Sequence, residues 1–269
     1  MEPMPQRTII TLLTDFGLQD GYVASLKGII LGMDPQAALV DISHAVPPQD
    51  IRSGAFLLYT VYSHFPGGTV HVAVVDPGVG TDRRGLAIQT PSYCFVGPDN
   101  GLFSWILKAE PLWRAVSLDH PRFWRPQVSP TFHGRDIFAP VAVHLAQGVP
   151  LESLGAPCRP LQAAWTAPRE DGDGLHGEVL YVDHFGNCIT NITSQDLEAA
   201  LGNAPCRVRI AGRTIDGISR TYGQKEHGEI LALVGSSHHL EIAVNRGHAS
   251  RLLGIQGGDA VLVTRGPRS

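Results

Sequence analysis

The sequence lacks long apolar runs, basic clusters and closely spaced cysteines. Its uninterrupted apolar stretches fall well short of the roughly 20 residues that span a bilayer, so we expect no contact with membranes. The net charge of −4, without a run of Lys or Arg, argues against nucleic acid as a partner. The cysteines form no CxxC pair and are expected to be reduced thiols rather than zinc ligands or disulfides: Cys94, Cys158, Cys188 and Cys206.

Several common catalytic signatures are also missing. There is no GxSxG nucleophile elbow, no HExxH zinc helix and no GxxxxGK[ST] phosphate loop, and the histidines show no metal-ligand spacing. We therefore predict no bound metal and no cofactor. Met1 to Arg7 contains two prolines and no apolar core, so it does not resemble a signal peptide, and a cytoplasmic location is expected.

The first half of the chain alternates between strand and helix patterns, which favours an N-terminal α/β domain with a largely parallel central sheet. β-rich runs are predicted at 8–13, 39–42, 69–75, 86–89 and 93–96, and helical spacing at 20–33, 50–65 and 136–147. The run at 69–75 is apolar and β-branched, as in a strand buried on both faces.

The pattern changes in the second half. Prolines and a polar glycine-rich stretch predict a linker at 161–176 between domains at 1–160 and 177–269. Beyond it, short strands separated by glycine-rich turns predict a smaller all-β domain, a barrel or sandwich. These strands are expected at 178–182, 206–210, 229–234, 240–244 and 259–264, with one helix at 194–201.

Acidic residues follow three predicted strands of the first half. Asp15, Asp76 and Asp99 each come at or just after a strand end, where ligands of open α/β sheets bind. Three such loops at one edge indicate a polar pocket, although single loop carboxylates are common.

Two loops of the first half carry further candidates. Gly78 and Gly80 resemble part of a dinucleotide fingerprint, but the third glycine is missing and a strand follows, so that interpretation fails. What remains is a tight loop bringing Asp76 and Arg83 together, either for chemistry or as an ion pair bracing a turn. His133 precedes a helix and could reach the cleft, although a lone histidine is usually structural.

In the second half, a strand is followed by Asp183-His184-Phe185-Gly186-Asn187. The Asn187 amide can donate to and accept from the edge of an adenine ring, and Phe185 could stack on its face. The alternative is a simple turn at Gly186-Asn187. Ser236 and Ser237 also close a strand and could bind a carboxylate.

Taken together, the ordered motifs resemble one family, the S-adenosylmethionine hydroxide adenosyltransferases, relatives of fluorinases and chlorinases. The resemblance covers almost the whole chain and rests on TDFG (14–17), VDPGVGT (75–81), GPDNG (97–101), FHGRD (132–136), DHFGN (183–187) and LEIAVN (240–245). It implies an α/β domain followed by a β-barrel. It also implies a homotrimer that binds its ligand between the N-terminal domain of one subunit and the C-terminal domain of its neighbour.

The same resemblance implies a role for each site residue. Asp15 would hold the ribose diol, and Asn187 would read the adenine between Phe185 and Tyr222. Asp20, Ser236 and Ser237 would hold the methionine end. Phe132 and Asp183, which lie within the motifs, complete the expected substrate-binding set: Asp15, Asp20, Phe132, Asp183, Phe185, Asn187, Tyr222, Ser236 and Ser237.

Asp76, Arg83 and His133 would form a water-binding triad. In the fluorinase-like relatives tyrosines occupy the positions of Asp76 and His133, and a halide-contacting serine occupies that of Gly134. The resemblance therefore implies hydrolysis of S-adenosylmethionine to adenosine and methionine by in-line attack of water on ribose C5′. Three alternatives remain: a halide-dependent adenosyl transferase, a non-catalytic adenosine- or S-adenosylmethionine-binding regulator, and a metal hydrolase using Asp15 and Asp20.

Overall fold

The computed structural model describes residues 8–202 and 204–266. Met1 to Arg7, on which the expectation about a signal peptide rests, lies outside the described residues. The chain divides into two compact units, Met1–Ala163 and Ala164–Ser269. Among the described residues, no helix has the length and apolar character needed to cross a membrane.

The N-terminal unit is built on one six-stranded sheet of order β2-β1-β3-β5-β4-β6. Its strands are β1 (Ile9–Thr14), β2 (Ala38–Ser43), β3 (Val70–Val74), β4 (Gly85–Gln89), β5 (Cys94–Pro98) and β6 (Arg114–Ser117). Its helices are α1 (Tyr22–Met33), α2 (Ile51–Val61), α3 (Ser104–Ala109) and α4 (Ala139–Ala146). The β2, β1, β3 and β5 strands run parallel, whereas β4 pairs antiparallel with β5 and β6. The predicted α/β fold with a mostly parallel sheet is confirmed.

Burial explains why the central strands form where they do. All five residues of β3 are buried, as the β-branched run at 69–75 predicts. The sheet packs against α1 and α4 through a core that includes Ile10, Leu26 and Val141. Because β1, β3 and β5 are parallel neighbours, their carboxyl ends meet at one edge, so Asp15 and Asp76 emerge side by side.

At one end of each of two predicted helices the structure has a turn that is not α-helical. The helix predicted at 50–65 begins with Asp50 as N-cap, whose Oδ1 accepts the Ser53 N–H at 3.0 Å, but its α-helical part ends at Val61 and a 3-10 turn follows. The helix predicted at 136–147 starts earlier, as a π-helical turn over Gly134–Phe138 that leads into α4. Such π turns often occur at functional sites.

The C-terminal unit is an antiparallel, nearly closed barrel of order β11-β10-β14-β8-β9-β13-β12, with β7 paired to β8. Its strands are β7 (Arg169–Asp171), β8 (Gly174–Val182), β9 (Cys188–Thr193), β10 (Cys206–Ile210), β11 (Arg213–Asp216), β12 (Ile230–Val234), β13 (His239–Val244) and β14 (Ala260–Arg265). Two helices accompany them, α5 (Ser194–Leu201) and α6 (Ala249–Leu253). The Ser219 N–H donates to the Ala232 carbonyl beyond the end of β11, nearly closing the ring.

His71 on β3 makes the stability of this fold pH-dependent. Burial lowers the pKa of its imidazole to about 3. A histidine in the unfolded chain has a pKa of about 6.5. Between these values the unfolded chain binds a proton that the folded chain does not, so stability falls as pH falls from about 6.5 towards 3, by at most about 1.4 kcal/mol per pH unit. We expect His71→Asn, which keeps an acceptor facing Thr11, to flatten this dependence in urea-unfolding measurements across that pH range. An unchanged slope would contradict the assignment.

Candidate active site

A cavity of about 500 Å³ lies at the carboxyl edge of the N-terminal sheet. Four predicted site residues line it: Asp15, Asp76, Phe132 and His133. Arg83 stands directly behind Asp76. The structure thus brings together residues that are up to 118 positions apart in sequence (from 15 to 133).

Asp76, Arg83 and His133 form one connected group. Arg83 Nε donates to Asp76 Oδ1 at 2.7 Å, and Arg83 Nη2 donates to Asp76 Oδ2. Arg83 Nη2 also lies 3.0 Å from His133 Nδ1. The side chains of Asp76 and Arg83 are only 5% and 11% exposed, so this two-point contact holds the carboxylate in a fixed orientation.

The contact with Arg83 also determines where His133 carries its proton. A guanidinium has no acceptor, so His133 Nδ1 must accept from it and the ring proton resides on Nε2. Burial, followed by the positive charge of Arg83, lowers the pKa of His133 below its ordinary value. At neutral pH the ring is therefore an uncharged donor through Nε2–H.

Gly80 allows the two loops that carry this group to come into contact. Gly80 has φ +78°, and a Cβ there would lie 2.4 Å from the carbonyl oxygen of Pro130. Only glycine allows the loop after Asp76 to approach Pro130, three residues before His133. The segment around Pro130 is held by buried Asp136, which accepts from Ser129 N, Arg125 and Arg135.

Asp15 lies on the same cavity wall, beside three aromatic rings. Its Oδ2 accepts the Gln49 N–H at 2.8 Å. The rings of Phe16, Tyr22 and Phe132 pack together with centroid distances of 5.4–5.9 Å. A half-buried carboxylate next to an aromatic wall suits a ligand that has both hydroxyl groups and an apolar surface.

The C-terminal unit contains a second cavity, of about 700 Å³. Five predicted site residues line it: Asp183, Phe185, Asn187, Tyr222 and Ser236. The Asn187 side-chain amide donates to Asp183 Oδ2 at 2.9 Å and its backbone N–H to Asp183 Oδ1 at 2.8 Å. The buried Asn187 amide is thereby oriented, with its NH₂ group towards Asp183 and its oxygen on the opposite side.

The turn that presents Phe185 depends on Gly186. This glycine has φ +86°, and a Cβ would lie 2.0 Å from His248 Nδ1. Phe185 is 72% exposed, which is unusual for phenylalanine. Across the cavity, Tyr222 donates to Glu241 Oε2 at 3.1 Å. Burial, then Glu241, raises the pKa of Tyr222 to about 12, so this hydroxyl stays a donor.

Not every residue singled out by sequence lies on a cavity wall. Asp20 is in an exposed turn before α1, and neither it nor Ser237 is among the residues that line the two cavities. Asp99, expected near a polar pocket, is instead buried and accepts from Arg84 Nε at 3.0 Å and from Leu161 N at 2.7 Å. Within residues 8–202 and 204–266, no group of three or more His, Cys, Asp or Glu is arranged to hold a metal ion.

Comparison with known proteins identifies the family. The model of the SAM hydroxide adenosyltransferase N-terminal domain matches residues 10–155, and that of the C-terminal domain matches residues 177–262. This chain belongs to the SAM hydroxide adenosyltransferase family. The resemblance drawn from the sequence motifs is thus confirmed.

Relatives in this family include a protein of Thermus thermophilus named (R)-S-adenosyl-L-methionine hydrolase, which is 43% identical over 93% of this chain and 96% of its own length. A Salinispora arenicola protein with the same name is 40% identical over 96% of this chain and 98% of its own. A fluorinase of Nocardia brasiliensis is 30% identical, over 97% of this chain and 98% of its own.

Two solved structures share the fold of this chain. A crystal structure of an uncharacterized conserved protein from Thermotoga maritima has a TM-score of 0.86 and 35% identity, and covers 95% of this chain and 100% of that one. A conserved hypothetical protein from Thermus thermophilus gives a TM-score of 0.79 at 40% identity, with 96% and 100% covered.

Sequence reasoning missed several residues that line the two cavities of this family member. Gln49 and Tyr22 line the first cavity, and Glu241 and Arg246 line the second. Glu241 alone had a usable signal, because it is a charged residue inside the apolar strand β13 and is only 7% exposed. Gln49 contributes its backbone N–H from a left-handed conformation (φ +67°), which its residue type does not indicate.

Proposed function

We propose that this protein hydrolyses S-adenosylmethionine to adenosine and methionine, and that its substrate has the (R) configuration at the sulfonium, as in the names of its relatives. The observation that carries the proposal is the group of Asp76, Arg83 and His133 on the wall of a cavity shared with Asp15. A carboxylate and an imidazole facing one space are suited to binding a water molecule.

The sulfonium is already a good leaving group, so the protein has mainly to aim a weak nucleophile at C5′. Water donates one hydrogen to the Asp76 carboxylate and accepts from His133 Nε2–H, while Arg83 holds both partners in place. A bond forms between the water oxygen and C5′ as the C5′–S bond breaks, and methionine leaves as a neutral thioether. The proton released by the attacking water passes to Asp76 and then to solvent, because His133 Nδ1 is already occupied by Arg83.

The remaining site residues hold the substrate. Asp15 accepts hydrogen bonds from both ribose hydroxyls, beside the aromatic wall that contains Phe132. The oxygen of Asn187, oriented by Asp183, accepts from the adenine amino group. Stacking on Phe185 and Tyr222 stabilises the adenine, and Asp20, Ser236 and Ser237 hold the methionine end.

We further propose that the two cavities form one complete site between neighbouring copies of a homotrimer. Each cavity carries a different part of the chemistry, with the water-binding group in one unit and the adenine-binding groups in the other. Apolar side chains near each are exposed, with Leu18 at 76% and Phe185 at 72%, as expected of surfaces covered by a partner. A head-to-tail contact that closes a ring provides such a pairing.

The direct test is incubation with (R)- and (S)-S-adenosylmethionine in halide-poor, chelator-treated buffer, with chromatography for adenosine and methionine. We expect equimolar products from the (R) epimer. A parallel incubation with added chloride tests for 5′-chloroadenosine, whose formation would favour the halide-dependent transferase. Bound adenosine without turnover would favour the regulator, and loss of activity with chelator the metal hydrolase.

Mixed oligomers test the intersubunit site. One chain carries Asp76→Ala, and the other carries Asp183→Ala with Asn187→Ala. Each homo-oligomer is expected to be inactive, whereas trimers that contain both chains should show roughly a third of wild-type activity, because one of the three heterologous contacts in every mixed ring joins two intact halves. The measurement is the specific activity of doubly tagged oligomers.

A matched control combines Asp76→Ala with His133→Ala chains, whose lesions lie in the same half. This mixture should recover no activity. If the first mixture also stays inactive although mixed oligomers are isolated, the site belongs to a single chain.

A further inference from the structure

We propose that Thr14 and His44 are positioning residues that fix the Asp15 carboxylate for the ribose through a buried hydrogen-bond relay. The inference rests on the proposed role of Asp15. Both residues are buried and neither lines the cavity: Thr14 is the last residue of β1 and fully buried, and His44 follows β2 and is 4% exposed.

Three contacts connect the segment after β2 to the loop that carries Asp15. Thr14 Oγ1 lies 2.8 Å from His44 Nδ1. The Gly17 N–H donates to the His44 carbonyl at 2.8 Å, and the Gln49 N–H donates to Asp15 Oδ2 at the same distance. The contacts lie before, after and at Asp15, so they restrain the whole loop.

The direction of the hydrogen bonds in the relay follows from its neighbours. His44 Nε2 lies 3.1 Å from Asp41 Oδ1, without the alignment of a hydrogen bond, and this negative charge favours the ring proton on Nε2. Nδ1 is then an acceptor and the Thr14 hydroxyl its donor. The hydroxyl oxygen in turn accepts the Phe16 N–H at 3.2 Å. The relay therefore runs from Phe16 N–H through Thr14 to His44.

The relay acts on the residue directly after Asp15. Without the Thr14 hydroxyl, the Phe16 N–H loses its acceptor, and the backbone turn that aims the Asp15 carboxylate loses a restraint. The expected consequence is weaker recognition of the ribose diol, with adenine recognition unchanged.

The chain offers a closely matched control on the same strand. Thr11 is also fully buried on β1, and its Oγ1 lies 2.7 Å from Nδ1 of buried His71. Neither Thr11 nor His71 lines the cavity. Thr11→Val therefore removes an equivalent threonine–histidine contact from the core without touching the Asp15 loop.

The experiment measures calorimetric affinities for adenosine and for 2′,3′-dideoxyadenosine, which lacks the diol. The wild-type protein should prefer adenosine by at least roughly tenfold, as expected of hydrogen bonds to a charged group. Thr14→Val should reduce this preference about fivefold or more and leave the affinity for the dideoxy compound within about twofold. Thr14→Ser, which keeps the hydroxyl, and Thr11→Val should retain the wild-type preference.

A second pair of variants tests the other end of the relay. The Oδ1 of His44→Asn can replace Nδ1 as acceptor and should preserve the preference for adenosine, whereas His44→Leu should lose it. A wild-type preference in both Thr14→Val and His44→Leu overturns the relay, as does an equal loss of affinity for both nucleosides, which indicates a general structural role. If the unsubstituted protein binds both nucleosides equally, the proposed role of Asp15 itself fails. If it binds neither, the proposed function fails.

Discussion

Replacing Asp76 by alanine is expected to lower kcat for S-adenosylmethionine hydrolysis by at least about 10²-fold, while the affinity for adenosine changes by less than about threefold. In the proposed mechanism Asp76 accepts a hydrogen bond from the attacking water and makes no contact with the ribose or the adenine. Its loss therefore raises the energy of the transition state more than that of the bound substrate. Single-turnover kinetics and calorimetric binding of adenosine measure the two quantities separately.

Alanine at position 76 also leaves Arg83 without its main partner, so a milder variant is needed. Asp76→Asn keeps an acceptor for Arg83 Nε but removes the negative charge. Its kcat should therefore lie between those of Asp76→Ala and the wild-type protein. Asp99→Asn is the matched control, because Asp99 pairs with the neighbouring Arg84 outside the cavity and should retain wild-type kcat. Wild-type turnover in Asp76→Ala and in His133→Ala would refute the water-binding group.

The sequence predicts the central strands β1, β3 and β5 of the N-terminal sheet well because they are buried on both faces. The β-branched run at 69–75 became β3, and the alternation of strands and helices produced the parallel order. Strands β6 and β11 were not predicted, because each has only four residues and includes exposed positions. β9 was missed because it mixes apolar and polar residues, CITNIT, although five of the six are buried within the barrel. A local sequence pattern does not show which residues become buried through tertiary packing.

The candidate-site residues that follow strand ends could be predicted from the sequence. Asp15 directly follows β1 and Asp76 is the second residue after β3, and topology alone brings them to one edge. The contact between Arg83 and His133, 50 residues apart, depends on how the Gly80 loop meets Pro130, which no local pattern encodes. For the same reason, residue type does not predict which backbone N–H groups, such as that of Gln49, act as donors in the site.

Replacing Asp15 by alanine is expected to lower kcat/KM by roughly 10²-fold or more, mainly through KM, since it removes the two charge-assisted hydrogen bonds that we propose Asp15 makes to the ribose. Because these bonds exist in both the bound substrate and the transition state, their loss affects binding more than turnover, in contrast to Asp76→Ala.

Asp15→Asn should lower kcat/KM less, by roughly tenfold, because an amide oxygen can still accept from the Gln49 N–H and from one ribose hydroxyl. Asp50→Asn provides the control: this neighbour of Gln49 caps α2, asparagine preserves the cap, and neither kinetic constant should change. Steady-state kinetics on the three variants distinguishes the possibilities. If Asp15→Ala lowered kcat and left KM unchanged, Asp15 would act on the reacting atoms instead of on the ribose. The roles proposed for Asp15 and Asp76 at this sheet edge would then have to be exchanged.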